Sequence, residues 1–146
     1  MTSKIIQFSE LSITELYESL ALRFNVFVLE QECLYPEYDP IDYIAFHLLA
    51  FDGKELVGYL RIYKESNDEY PKIGRIVIHK DHRGKKYGEK IIKQAIEFIK
   101  KTYPDTSIKI SAQEHLKEYY QTFGFEQKGS SYPDYGIQHI DMIAVI

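Results

Sequence analysis

The sequence predicts a single α+β domain over residues 1–146, with one mixed, mostly antiparallel sheet flanked by helices. Three observations lead there. Short apolar or alternating runs bounded by Gly, Pro and Asp recur along the chain and read as strands. Two longer runs with apolar residues at helical spacing interrupt them. Repeats, low-complexity tracts and linkers are absent, and 146 residues can bury a core without cross-links.

The elements follow in order. "KIIQF" (Lys4–Phe8) reads as an opening strand. Ser12 is placed to cap the next helix, and Glu15 completes a capping box. Leu16, Leu20, Phe24 and Phe27 supply the apolar stripe of that helix. Pro36 and Pro40 break the pattern, so "ECLYPEYDPID" is an acidic loop. "YIAFHLLAF" and "ELVGYLRIYKE" are strands joined by an Asp52-Gly53 hairpin turn. "KIGRIVIH" is another strand, whose run Ile76-Val77-Ile78, apolar on both faces, places it centrally. Gly84 and Gly88 flank the turn into a helix of about fourteen residues, with Ile91, Ile92, Ala95, Ile96 and Ile99 on one face. "IKISA" is a strand and "QEHLKEYYQTF" a short helix closed by Gly124. "FEQKGS" and "IQHIDMIAVI" are the final strands, the last one expected at an exposed edge that could pair in a homodimer.

Composition narrows the function. A net charge of −4 argues against a general nucleic-acid or membrane-surface binder. Cys33 is the only cysteine, which excludes an internal disulfide and a cysteine-based metal site and fits a reducing compartment. "MTSKIIQFSE" has no apolar core of a signal peptide, and "YIAFHLLAF" is too short to span a bilayer, so a cytoplasmic location is expected. His47, His82 and His115 show no metal-ligand spacing, and no metal is expected. The charge is unevenly spread. Eight basic residues face three acidic ones between Lys80 and Lys101, a net +5 that leaves −9 for the remainder. Glu30 to Asp42 carries Glu30, Glu32, Glu37, Asp39 and Asp42 with no basic residue. A polyanionic group is expected at the first zone and a cation at the second.

The stretch "VIHKDHRGKKYGEKIIKQ" joins an apolar strand to a lysine-rich helix through a glycine-flanked turn. Helix N-termini expose free N–H groups and about half a positive charge, and a diphosphate docks there if no side chain blocks it. Gly84 and Gly88 remove side chains, while Arg83, Lys85 and Lys86 add charge. Neither the P-loop string nor the Rossmann glycine pattern occurs.

"RGKKYG" resembles the Arg/Gln-x-x-Gly-x-Gly/Ala turn of the GNAT (GCN5-related) N-acetyltransferases, with Lys86 standing where the middle Gly is usual. "YQTFGF" is similar to the family's Tyr-x-x-x-Gly-Phe, and "LRFNVFVLEQECLYPEYDPID", "GRIVI" and "YGIQHIDM" resemble its ElaA-type branch. The resemblance implies the acyl-CoA N-acyltransferase fold and acetyl-CoA as cosubstrate. It implies that Arg83, Gly84, Lys85, Lys86, Tyr87 and Gly88 hold the diphosphate. Lys86 would meet the phosphate through its backbone N–H, with φ in the helical range. Ile76, Ile78 and Gln113 would meet the pantetheine arm. Tyr120 would assist the departing thiolate. The strand Ile73–Ile78 carries no carboxylate to act as a base. Candidates for that role are Glu30 first, then Glu37, Asp39 and Asp42, which could also hold a cationic acceptor, with His79 and His139 behind them. The expectation is acetyl transfer to a primary amine; a catalytically inactive CoA-binding sensor is the alternative.

Overall fold

The computed structural model describes residues 1–146. β1 (Thr2–Gln7) leads into α1 (Ile13–Arg23), where Ser12 and Glu15 form the expected capping box. The helix widens into a π-turn over Phe24–Glu30, with Gln31 N–H bonded to Val26 O and Cys33 N–H to Val28 O. α2 (Ile41–Ile44) is a single turn, followed by β2 (Phe46–Asp52), β3 (Glu55–Tyr63) and β4 (Lys72–Ile78). α3 (Tyr87–Thr102), β5 (Ser107–Gln113), α4 (Lys117–Gln121), β6 (Glu126–Asp134) and β7 (Ile137–Val145) complete the chain.

The seven strands form one sheet in the order β1-β2-β3-β4-β5-β7-β6, with β4 at its centre. Every neighbouring pair is antiparallel except β4 and β5, which α3 connects as a crossover. One face packs on α3 through Ile91, Ile92, Ala95 and Ile99, against Leu48, Leu60, Ile62, Ile73 and Ile108. Each of those buried isoleucines contributes about 1.5–3 kcal/mol relative to exposure. The other face packs on α1 and its π-turn through Leu22, Val26, Leu49, Tyr59 and Val77.

Three expectations need correction. The stripe Leu16, Leu20, Phe24, Phe27 does not describe the buried side of the first helix: Phe24 is 45% exposed, and Ser19, Leu22, Arg23, Val26 and Val28 are buried. Within α1 the buried positions are already Ser19, Leu22 and Arg23, and beyond Arg23 the π-turn inserts extra residues per turn and rotates the side-chain phase away from the 3.6-residue period. Tyr43 and Ile44 belong to α2 rather than to the second strand. The last strand is not an edge, because β7 is paired on both sides; the edges are β1 and β6.

Pairing fails at the middle of the sheet. β4 and β5 share a single register pair, Lys72 with Lys109, so β4 is unpaired on that side from Ile73 to Ile78. On its other side β4 carries a bulge: Tyr59 faces Val77 but Arg61 faces Gly74, so Arg75 and Ile76 together oppose one residue of β3. Arg75 takes φ +53 there. The extra residue bends β4 away from β5 and opens a cleft.

Candidate active site

A cavity of about 940 Å³ occupies that cleft and runs from the turn before α3, along β4, to the β6–β7 turn. Ile76, Ile78, Arg83, Gly84, Lys86, Tyr87, Gly88, Gln113, Tyr120 and Glu30 line it, so the sequence candidates converge on one space. Lys85 stands outside the lining, its ammonium 3.4 Å from His82 Nδ1.

The turn at one end is shaped for an anion. Gly84 has φ +82, and a Cβ there would meet nothing within 4 Å. A Cβ on Gly88 would lie 3.1 Å from the Tyr119 hydroxyl, so this position is narrow as well as bare. Lys86 is the N-cap of α3 at φ +61. This corrects the expectation of a helical φ: the left-handed value is one that glycine adopts freely and an L side chain adopts at a cost. No side chain caps the helix, which leaves the first-turn N–H groups available to an incoming ligand. Tyr87 braces the turn by donating to Asp52 Oδ2 at 3.1 Å.

Glu30 faces this turn. Its carboxylate accepts from Arg83 Nη1 at 2.8 Å and Nη2 at 3.2 Å, while Arg83 Nε donates to Ile78 O at 3.1 Å. Gln113 donates to Gln31 Oε1 at 3.0 Å, linking β5 to the end of the π-turn. Tyr120 is buried between Tyr119 and Phe125, and burial pushes its phenol well above the ordinary range. Nothing in the chain accepts or donates a hydrogen bond at its hydroxyl.

Of the remaining acids of the Glu30–Asp42 block, Glu32 is exposed, while Glu37, Asp39 and Asp42 are engaged by arginines rather than open to solvent. Arg23, 1% exposed, reaches Glu37 Oε1 (3.2 Å), Asp42 Oδ1 (3.0 Å) and Asp42 Oδ2 (3.2 Å). Arg61 reaches Asp39 (2.6 and 2.8 Å) and Asp42 (2.9 Å). Arg75 Nε lies 2.5 Å from Glu37 Oε2, a charge contact without hydrogen-bond alignment, since the same Nε has no aligned acceptor. Burial raises the Asp39 carboxyl, but hydrogen bonds and charge from Arg61, with Arg75 and Arg23 behind it, hold it below the usual carboxylate range. Only Asp39 of these three lines the cavity. Apart from Glu32 the acids of the block are therefore paired, and the expected cation attraction is much reduced.

Sequence reasoning missed this network, which extends to His47. His47 Nε2 lies 2.9 Å from Asp42 O, a carbonyl that can only accept, so Nε2 carries the proton and Nδ1 accepts from the Tyr59 hydroxyl at 2.6 Å. Burial, with the Arg23 and Arg61 charges beside it, lowers the His47 pKa. Arginine inside the apolar runs "ALRFNV" and "YLRIY" was the available signal, because a buried guanidinium needs a buried acid. The histidines at the turn also gather: Glu55, His79 and His82 bring ligand-type atoms within 4.8 Å of one another. His79 Nδ1 there accepts from Asp81 N–H at 3.1 Å. Cys33 is buried, its thiol 3.5 Å from Tyr135 O.

A splayed parallel pair at the centre of a seven-stranded sheet, with an uncapped helix N-terminus closing one end of the gap, defines the acyl-CoA N-acyltransferase class. Residues 14–146 match the family model for the acetyltransferase (GNAT) domain, and the chain belongs to that family. It is 39% identical to protein ElaA of Escherichia coli over 137 residues, covering 92% of this chain and 90% of that one. It is 41% identical to UPF0039 protein sll0451 of Synechocystis over 140 residues, covering 94% and 90%. Among solved structures, E. coli ElaA superimposes with a TM-score of 0.93 at 36% identity, covering 98% of both chains. An acyl-CoA N-acyltransferase from Pseudomonas aeruginosa superimposes with a TM-score of 0.94 at 33% identity, covering 99% of both. Members of this family transfer acyl groups from acyl-CoA to amines. No helix here is long and apolar enough to cross a membrane.

Proposed function

We propose that the protein transfers an acetyl group from acetyl-CoA to a primary amine by direct attack, in the cytoplasm. The observation that carries this reading is one continuous cavity joining the uncapped start of α3, the unpaired edge of β4 and Tyr120. The first-turn N–H groups of α3, with Arg83 and Lys86 beside them, suit a diphosphate, and the open space at Gly84 leaves room for it. Ile76, Ile78 and Gln113 flank the path a pantetheine arm would take.

Tyr120 assists the thiolate. Even an unperturbed phenol, with pKa near 10, is about 2 kcal/mol short of fully protonating a thiolate of pKa near 8.5. Burial raises the Tyr120 phenol further, so it acts as a neutral donor whose hydrogen bond strengthens as charge gathers on sulfur. Lysine-like amines, with pKa about 10.4, cost about 4.6 kcal/mol to neutralise at pH 7, so a base is needed. Glu30 is in the cavity wall, but its two oxygens are occupied by Arg83, and that engagement supports a role in aiming the guanidinium at the diphosphate end.

Release of free thiol from acetyl-CoA, followed with a panel of amines, tests the reading. Tyr120→Phe should lower kcat by at least about tenfold while CoA binding, read by calorimetry, is unchanged. A sensor would bind CoA equally, release no thiol above background with any amine, and be indifferent to the substitution.

A further inference from the structure

The chain needs a proton acceptor on the side of the cavity where the amine enters, and the block ranked for it is occupied. Glu30 is held by Arg83, and Asp39 by Arg61 and Arg75. His82 sits at the diphosphate corner between Glu55 and Lys85. His115, in the short 3-10 helix Glu114–Leu116, and Asp134, the last residue of β6, are exposed.

His139 is different. It lies on β7 in register with Gln113, one strand behind the open cleft, and lines the cavity. Ile140, Met142 and Ala144 of the same strand are buried on the α3 face, so strand alternation places His139 on the α1 face, beside Ser111 and Gln113 of β5. Its Nδ1 is 2.8 Å from Ile137 O. A carbonyl oxygen can only accept, so Nδ1 carries a proton, and the tautomer this contact selects has its lone pair at Nε2. Nothing in the chain occupies Nε2. The ring stacks on Tyr132, 6.3 Å between centroids, which fixes its plane. Tyr132 in turn donates to Asp141 at 2.7 Å and is anchored by Ser111. Asp141 also pairs with Lys109 at 3.3 Å, so that carboxylate is engaged by Tyr132 and Lys109.

We infer that His139 is the catalytic base, its Nε2 accepting the proton of the acceptor amine directly or across one water. This rests on the acyl-transfer reading above. The acceptor arrives as an ammonium ion, and Nε2 takes one proton and releases it to solvent. The freed nitrogen lone pair attacks the thioester carbonyl carbon, the C–N bond forms, and the C–S bond breaks with its electron pair on sulfur. The second nitrogen proton is balanced by protonation of the thiolate, so amide, free thiol and one proton leave. A fixed tautomer costs nothing to arrange at the moment of attack, which is the advantage of the Ile137 carbonyl.

The test uses the full chain with acetyl-CoA and four probe amines: a diamine, an α-amino acid, an arylethylamine and a lysine peptide. His139→Asn keeps a donor to Ile137 O and lacks Nε2. It should lower kcat about 100-fold, the scale of general base catalysis, with CoA affinity and melting temperature unchanged. Added imidazole should restore turnover to His139→Ala, a rescue that a purely structural histidine would not show. Nitrogen-15 shifts of the wild-type ring should report the Nδ1–H tautomer. An active wild type with His139→Asn within about threefold of it, no imidazole rescue, or the Nε2–H tautomer overturns this inference alone. A wild type silent toward every amine overturns the acyl-transfer reading first and this one with it.

Discussion

Replacing Arg23 by Ala tests whether the buried arginine–carboxylate network holds the acceptor side of the cavity together. Arg23 is 1% exposed, and its removal takes away the only guanidinium on Glu37 Oε1 and Asp42 Oδ2. Breaking one partner of a buried pair costs about 3–5 kcal/mol, because the other charge is left uncompensated. Here Asp42 keeps Arg61 and Glu37 keeps Arg75, so the loss belongs at the lower end, about 3 kcal/mol. An unfolding entropy of about 2.1 cal/mol/K per residue makes that a drop of about 10 °C in Tm for a chain of this length. Thermal and urea unfolding by circular dichroism read it. Lys93→Ala is the control: its pair with Glu89 at 2.7 Å is solvent-screened, and its loss should leave the Tm unchanged. If Arg23→Ala melts within about 3 °C of wild type, the carboxylates are not charged and buried as described, and the argument for a neutralised block fails. Should the alanine variant not fold, Arg23→Met with Asp42→Asn removes one charge of each sign, leaves Arg61 on Asp39 and Arg75 on Glu37, and should recover most of the loss.

Two further outcomes follow from the same structure. His47 has a folded pKa below its unfolded value of about 6.5, so the unfolded chain binds more protons between the two. Its contribution is complete above about pH 6.5 and is lost as the pH falls through the folded value, so urea midpoints should decline from about pH 7 to about pH 5 and decline less in His47→Gln. Lys86→Gly relieves a left-handed φ of +61 and should raise stability by about 1 kcal/mol, a gain of roughly 3 °C by calorimetry; an unchanged or lower Tm would mean the turn is not strained.

Local signals carried much of the fold. The capping box at Ser12, the Asp52-Gly53 hairpin, the apolar face of α3 and the central place of Ile76–Ile78 all depend on neighbours within a few residues, and each is where the sequence puts it. What the sequence hid was long-range or phase-dependent. Arg23 meets partners 14, 19 and 36 residues away, a pairing that no local pattern encodes. The π-turn changes the helical period within a run that still looks helical, and so misplaces Phe24 and Val26 relative to the expected buried face. The acids Glu37, Asp39 and Asp42 looked solvated because no basic residue stands near them in sequence, whereas three arginines from α1, β3 and β4 surround them in space. Of the site, the glycine turn and Tyr120 were legible as motifs. The proton state of His139 was not, because it is set by one carbonyl in the folded chain.

Backbone strain marks the same region independently of any motif. Five residues other than glycine take positive φ: Glu32, Arg75, Lys86, Asp105 and Tyr135. Arg75, Lys86 and Tyr135 line the cavity, and Glu32 lies between Gln31 and Cys33, which also do. Each of the three has a different job. Arg75 is the bulge that parts β4 from β5, Lys86 turns the chain into α3, and Tyr135 swings its ring over Tyr35 at the far mouth, 5.4 Å between centroids. Such conformations cost on the order of 1–3 kcal/mol each and persist only where surrounding contacts hold them. A chain selected for stability alone would place glycine or asparagine at Lys86 and Tyr135. Keeping a cation at one end of the cavity and an aromatic ring at the other makes the two ends chemically different, basic at the helix and aromatic at the β6–β7 turn, at a cost in backbone strain that packing alone does not explain.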